Sequence, residues 1–180
     1  MSILGWLGLD REAPRQGSDV EAVREIAHAL DGLEPARARF VACFAYLLGR
    51  VARADEQITP DESRAMERLV AERGLLPEAQ AVIVVQMAKT QGRLFGGTED
   101  FLVTREFDRI ASREEKLAVI DCLFAVCETD QSIVTVEDNE IRQIANELKI
   151  EHADYVAIRL RHRRFLEVLK KTDPTGDPQR

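Results

Sequence analysis

Cysteine is scarce in this chain: Cys43, Cys122 and Cys127 are the whole complement. A small, odd set cannot build a disulfide framework, and no C-x-x-C pair suggests a redox or metal site. All three lie inside apolar helical patterns, where a free cysteine behaves as a small hydrophobe. Aromatic residues reach only 6%, with one Trp and two Tyr. Long hydrophobic runs are missing as well; none approaches the ~18 residues of a membrane span. A positive surplus is also lacking: 25 Lys and Arg face 32 Asp and Glu, giving a net charge of −7. That sign excludes a whole-molecule nucleic-acid footprint, and no sequence-specific nucleic-acid binding is expected. No segment alternates with the period of a strand. The three histidines, His28, His152 and His162, stand in no metal-ligand spacing. Neither a G-x-S-x-G elbow nor a Gly-Lys-Ser/Thr phosphate loop is present.

What remains is a helix-forming chain of 180 residues, 45% hydrophobic and 32% charged, enough to bury a sizeable core. Pro35, Pro60 and Pro77 each stand where a helical pattern starts, a position that tolerates the missing N–H. Ser18-Asp19-Val20-Glu21, Thr59-Pro60-Asp61-Glu62 and Ser112-Arg113-Glu114-Glu115 read as capping boxes. They predict helices over about 18–31, 60–73 and 113–129, the first two closed by Gly32 and Gly74. Apolar stripes follow at helical spacing: Phe40, Phe44, Leu47, Leu48 and Val51; Leu117, Ile120, Leu123, Phe124 and Cys127; Ile141, Ile144, Ala145 and Leu148. Further helices are expected at about 78–91, 100–110 and 153–171. Residues 92–99, with three glycines, read as a long loop joining two halves.

The halves repeat at an offset of 75: Leu48 with Leu123, Val51 with Val126, Asp55 with Asp130, Ile58 with Ile133, Glu62 with Glu137, Met66 with Ile141, Leu69 with Ile144 and Leu75 with Ile150. Two helix-loop-helix units, about 35–75 and 112–150, are each too small for a full core and gain by packing together. The expected fold is all-α, a single compact domain of about seven to eight helices over 18–171. An apolar segment 1–17 precedes it and a polar tail 172–180 follows. Ile3, Leu4, Trp6, Leu7 and Leu9 make that first segment apolar, but it lacks the basic flank of a signal peptide, and Ser2 stands where myristoylation needs glycine. A cytoplasmic protein is expected, with this cluster docking on its own core or touching the inner face of a membrane.

At this point the sequence resembles a family. Ala52-Arg53-Ala54-Asp55-Glu56-Gln57-Ile58-Thr59-Pro60-Asp61-Glu62 is similar to the first signature of TerB-like tellurite-resistance proteins, and Glu137-Asp138-Asn139-Glu140-Ile141-Arg142-Gln143-Ile144-Ala145 to the second. Phe101-Leu102-Val103-Thr104-Arg105 resembles that family's connector helix. The likeness covers about residues 20–165 and extends to the N-terminal region of DjlA-type membrane co-chaperones. It implies an all-helical, non-enzymatic module of stress and tellurite resistance. It also implies a divalent cation, Ca²⁺ or Mg²⁺, held by Asp55, Glu62, Asp130 and Glu137. The family pattern often has Asp-Gly at the loop. Here Asp55-Glu56 and Asp130-Gln131 replace it, which predicts a changed turn and a weaker ion site. No J-domain follows, so co-chaperone activity itself is not implied.

Physically, an Asp and a Glu seven residues apart across a tight loop can bring two carboxylates together, and hard cations take about six to eight oxygens, with water completing the shell. Capping is the competing reading. Glu62 falls three residues after Thr59, as a capping Glu should. In the second half the box is expected one residue later, Thr135 to Asp138, which leaves Glu137 less explained. Arg159, Arg161, Arg163, Arg164, Lys170 and Lys171 are expected on one terminal helix, as a solvated face or as a contact for anionic lipid, RNA or an acidic partner. Residues 151–180 carry seven basic and five acidic side chains, so the first 150 hold −7 − 2 = −9. Three functional readings stay open: a stress-response binding module with a cation site, a membrane-associated or co-chaperone-type interaction domain without one, and a metal-dependent hydrolase. A protein partner is expected in the first two, with homo-oligomers open.

Overall fold

In the computed structural model the described residues are 26, 28–51, 60–91 and 100–170, with side chains described for all but 60–62, 90, 91, 100, 101, 130 and 170. The N-terminal apolar segment, the loop 92–99 and the first acidic loop, 52–59, lie outside them. A helical turn at 28–31 ends at Gly32. Then come α1 (Pro35–Val51), α2 (Pro60–Arg73), α3 (Glu78–Gln91), α4 (Asp100–Ile110), α5 (Arg113–Cys127), a 3₁₀ turn (Glu128–Asp130), α6 (Thr135–Glu147), α7 (His152–Arg161) and a short α8 (Glu167–Lys170). Among the described residues the extended backbone amounts to one isolated parallel bridge, between Ile133 and Leu166. The fold is all-α.

Local chemistry explains the starts. Glu34, just before Pro35, accepts from the N–H groups of Ala36 and Arg37 at 3.0 and 3.1 Å, so a carboxylate satisfies the open donors of α1. At α5 the capping box is complete: Ser112 Oγ accepts from Glu115 N at 3.2 Å, and Glu115 accepts from Ser112 N at 2.8 Å.

Packing then sorts the helices by depth. Every residue from Phe40 to Val51 in α1 and from Val119 to Cys127 in α5 is buried. A helix that is apolar all round belongs at the centre, and these two occupy it. α1 packs against α3, α4, α5 and α6, and α5 against α2, α6 and α7. The second helix of each half lies on the first helix of the other, α2 on α5 and α6 on α1. Each half thereby covers apolar surface that the other could not bury alone.

The internal correspondence reaches three helices per half, α1-α2-α3 and α5-α6-α7, with α4 between them. The offset is not constant. α2 and α6 start 75 apart (60 and 135) but end 74 apart (73 and 147), as do the starts of α3 and α7 (78 and 152). The slip sits at the helix ends. Leu75 and Lys149 are both left-handed, with φ of 54° and 56°. Leu76 N then donates to Ala71 O at 3.2 Å and Ile150 N to Ala145 O at 3.0 Å, the six-to-one bond of a Schellman turn. So Leu76, not Leu75, is the counterpart of Ile150. Leu75 projects outward at 53% exposure while Leu76 is buried.

The expected continuous helix over 153–171 does not form. α7 stops at Arg161, residues 162–165 turn, and α8 begins at Glu167. The reason is tertiary. Continuing the helix would carry His162 and Leu166 away from buried partners, whereas here they are 4% and 0% exposed. The six basic residues expected along one helix are therefore dispersed: Arg159 and Arg161 end α7, Arg163 and Arg164 ride on the turn, Lys170 closes α8, and Lys171 lies outside the described residues.

Candidate functional site

The second acidic loop runs from the end of α5 to the start of α6. The 3₁₀ turn Glu128–Asp130 is followed by Gln131 at φ 59°, a left-handed residue. Left-handed backbone is the conformation glycine adopts without steric cost. Gln131 thus takes a backbone that a glycine at this place would take without strain. The loop backbone is pinned from outside. Ile133 N donates to Phe165 O at 2.8 Å and Glu167 N donates to Ile133 O at 3.1 Å. Ser132 Oγ donates to Glu167 at 3.4 Å. Ile133 and Leu166 are both buried beneath this clasp. The break between α7 and α8 is what lets the chain reach the loop.

Of the four acids singled out by sequence, Asp55 lies outside the described residues, and the side chains of Glu62 and Asp130 do too, although their backbones stand in the first turn of α2 and at the end of the 3₁₀ turn. Glu137 is placed in full. It occupies the third position of α6 and accepts from Val134 N at 3.0 Å. This is half a capping box, because Val134 has no acceptor to offer in return. The expected box from Thr135 to Asp138 is thus displaced by one residue. Asp138 instead holds Arg159, which donates through Nε and Nη2 at 2.8 and 2.6 Å, and locks α7 to α6. Among the described residues, no three His, Cys, Asp or Glu side chains form a group that could hold a metal.

Beside this loop is a polar cluster that spacing did not reveal. His162 stacks on Phe124, with ring centroids 5.2 Å apart and planes at 17°. Its Nδ1 lies 2.7 Å from Glu128 Oε1 and its Nε2 3.1 Å from Asp121 Oδ1. Arg161 reaches the same Asp121 oxygen at 3.0 Å, and Arg73 reaches the other at 3.4 Å. Burial alone would raise the Asp121 pKa, but the His162 bond, Arg161 and Arg73 outweigh it and hold the carboxyl below its ordinary 3.8. The cluster joins α2, α5, the 3₁₀ turn and the turn after α7. One signal was available: Asp121 is the lone charged residue between Leu117 and Cys127, and a charge on a helix buried all round needs a partner. Nothing in sequence says that the partner is 41 residues away.

A buried cation sits near the end of α1. The Arg50 side chain is 1% exposed. It donates to Glu140 at 2.8 Å, to Glu147 at 2.8 and 3.4 Å, and to Thr104 at 3.0 Å. One guanidinium thus ties α1 to α4 and α6. The buried cysteines are chemically quiet: burial pushes the Cys43 thiol up to about 12 and raises Cys122 as well, so neither presents a thiolate. Ser63, beside the first loop, is buried and accepts from Lys89 Nζ at 2.8 Å.

A family model described as tellurite resistance protein TerB matches residues 40–160. The chain belongs to the TerB family. That span begins in α1 and ends in α7, so it takes in both three-helix halves and the connector α4. No curated protein and no solved structure gives a significant match. Membership establishes a tellurite-resistance-type helical module. Among the described residues no helix is long and apolar enough to cross a membrane.

Proposed function

We propose that this TerB-family chain is a non-enzymatic stress-response module whose acidic loops bind a divalent cation, Ca²⁺ or Mg²⁺, and so set the shape presented to a protein partner. The observation that carries this reading is the turn at Asp130-Gln131. Glutamine there holds a left-handed backbone, φ 59°, of the kind glycine takes freely. Holding glutamine there costs about 1 kcal/mol, so the loop shape is maintained against local preference. The donor set is all carboxylate, which suits a hard cation. Asp130 and Glu137 would hold the ion in the second loop, and Asp55 and Glu62 in the first. The ion would supply charge neutralisation and rigidity rather than reaction chemistry.

Glu137→Gln separates capping from ion binding. Glutamine still accepts from Val134 N, so the cap should largely survive and stability should fall by no more than about 1 kcal/mol. The lost charge should weaken Ca²⁺ or Mg²⁺ binding in calorimetry, as should Asp55→Asn with Asp130→Asn. Wild-type protein that binds neither ion at concentrations on the order of 1 mM, the weak end for such sites, would remove the cation from the proposal.

A second reading, an interaction module without metal, is favoured by exposed apolar side chains near the clasp. Val136 and Leu160 are 77% and 52% exposed, in the first turn of α6 and the last of α7, the two ends joined by the Asp138–Arg159 pair.

A further inference from the structure

A different surface carries the opposite charge. A cavity of about 700 Å³ runs along α4, lined by Leu102, Arg105, Glu106, Asp108, Arg109 and, from the turn after α6, Lys149. That volume is in the range of pockets for small molecules. Its two carboxylates are each shared by two cations. Asp108 accepts from Lys116 at 2.7 Å and Lys149 at 2.5 Å. Glu106 accepts from Arg109 at 2.9 and 2.7 Å and has Arg39 4.0 Å away. Arg105 is exposed on the same helix, and among the described residues it makes no ion pair or hydrogen bond. Glu147, two residues before Lys149, is committed to Arg50. Among the described residues that line the cavity, three cations (Arg105, Arg109 and Lys149) face two carboxylates, and Arg39 and Lys116 share those carboxylates from outside it. This stands out on a chain whose net charge is −7.

The carboxylates are already satisfied. Partial burial works to raise the Asp108 pKa, but Lys116 and Lys149 outweigh it and keep the group ionised. The Arg109 bonds are the largest influence on Glu106 and lower its pKa. Donors are left over. A guanidinium has five N–H groups and an ammonium three. Arg109 uses Nε and Nη2 on Glu106, and Lys149 uses one bond on Asp108. We infer that this groove is a binding site for a small phosphorylated molecule, with Arg105 as the forked anchor, Arg109 and Lys149 as flanking donors, and Leu102 as the apolar wall. Guanidinium forks match phosphoryl oxygens in a bidentate manner, and two guanidinium groups and an ammonium lining one concavity whose carboxylates are already paired suit a phosphoryl group better than a single carboxylate. Binding here does not depend on whether the acidic loops hold a cation.

The test is calorimetric titration of the full chain with sodium tripolyphosphate and with ATP, in EDTA and at low salt, so that cation binding cannot contribute. Saturable one-to-one binding is expected, weakened by added NaCl. Arg105→Glu should weaken it at least about tenfold, and Arg105→Gln less, with melting curves little changed because among the described residues Arg105 holds no partner. Arg163→Glu, an exposed cation on the turn after α7, should leave the affinity unchanged. No binding of either probe overturns the inference. Equal losses in Arg105→Glu and Arg163→Glu would overturn it as unspecific charge attraction. Binding of a glutamate-rich peptide through Arg105, without binding of tripolyphosphate, would overturn the ligand class.

Discussion

Replacing Arg50 with methionine should cost about 2–3 kcal/mol of folding stability. The figure follows from its surroundings. The guanidinium gives four hydrogen bonds to three residues on two other helices. Removing one partner of a buried ion pair costs about 3–5 kcal/mol, because the other charge is stranded. Here the stranded glutamates keep some water, with side chains 29% and 20% exposed at Glu140 and Glu147, and methionine refills much of the apolar volume, so the cost falls at or below the lower end of that range. For a chain of this length that is about 5–10 °C in Tm. The assay is urea unfolding followed by helical circular dichroism, in a cycle with Glu147→Gln. The double variant should recover at least about 1 kcal/mol relative to additivity, because neutral glutamine has no charge to strand. The pH dependence has a definite sign. Burial tends to raise the Glu147 pKa, but the bonds from Arg50, Gln143 and Thr104 outweigh it and leave it below the ordinary 4.5. The stability this carboxylate contributes is therefore full above 4.5 and lost as pH falls through the folded value. The Arg50→Met penalty should be constant from neutral pH down to that point and shrink below it. A penalty under about 0.5 kcal/mol, or a strictly additive double variant, would refute the view of Arg50 as the tie between α1, α4 and α6.

Two further substitutions test the turns. Gly74→Ala should destabilise by about 2 kcal/mol or more in urea unfolding, because a β-carbon there would lie 2.5 Å from Val70 O and 2.6 Å from the Phe44 ring; an unchanged midpoint would mean that both the Phe44 ring and the backbone at Val70 can give way. Gln131→Gly relieves a left-handed glutamine at φ 59° and should stabilise by about 0.5 kcal/mol after the added freedom of the unfolded chain is counted. Loss of stability would show that the Gln131 side chain matters more than the backbone strain.

How much could be read beforehand depended on whether the determining contact was local. The capping box of α5 was legible because Ser112 and Glu115 satisfy each other's backbone within one turn. The same held for the apolar stripes, whose residues are all buried apart from the half-buried Leu117. The displaced box at α6 was not legible, because Val134 carries no capping hydroxyl and the nearby Thr135 suggested a later start. The one-residue slip between the halves was hidden as well. It lies in two left-handed residues, Leu75 and Lys149, neither of a type that signals such a backbone. The cationic groove was missed because its charges come from α1, α4, α5 and the turn after α6, while the sequence shows them diluted among acids.

Composition, caps and helical periodicity are properties of neighbours in the chain, and they were enough to determine an all-α, internally duplicated fold; the short motifs at 52–62 and 137–145 carried the resemblance to the TerB family. Tertiary structure decided where α7 ends, since only the buried places prepared for His162 and Leu166 make stopping better than continuing. It decided which acids are engaged: Glu137 by a backbone N–H, Asp138 by Arg159, Asp121 by His162 and two arginines. Local sequence sets what a helix can bury. Which charges meet is set by elements tens of residues apart, and desolvation makes those meetings obligatory once the helices pack.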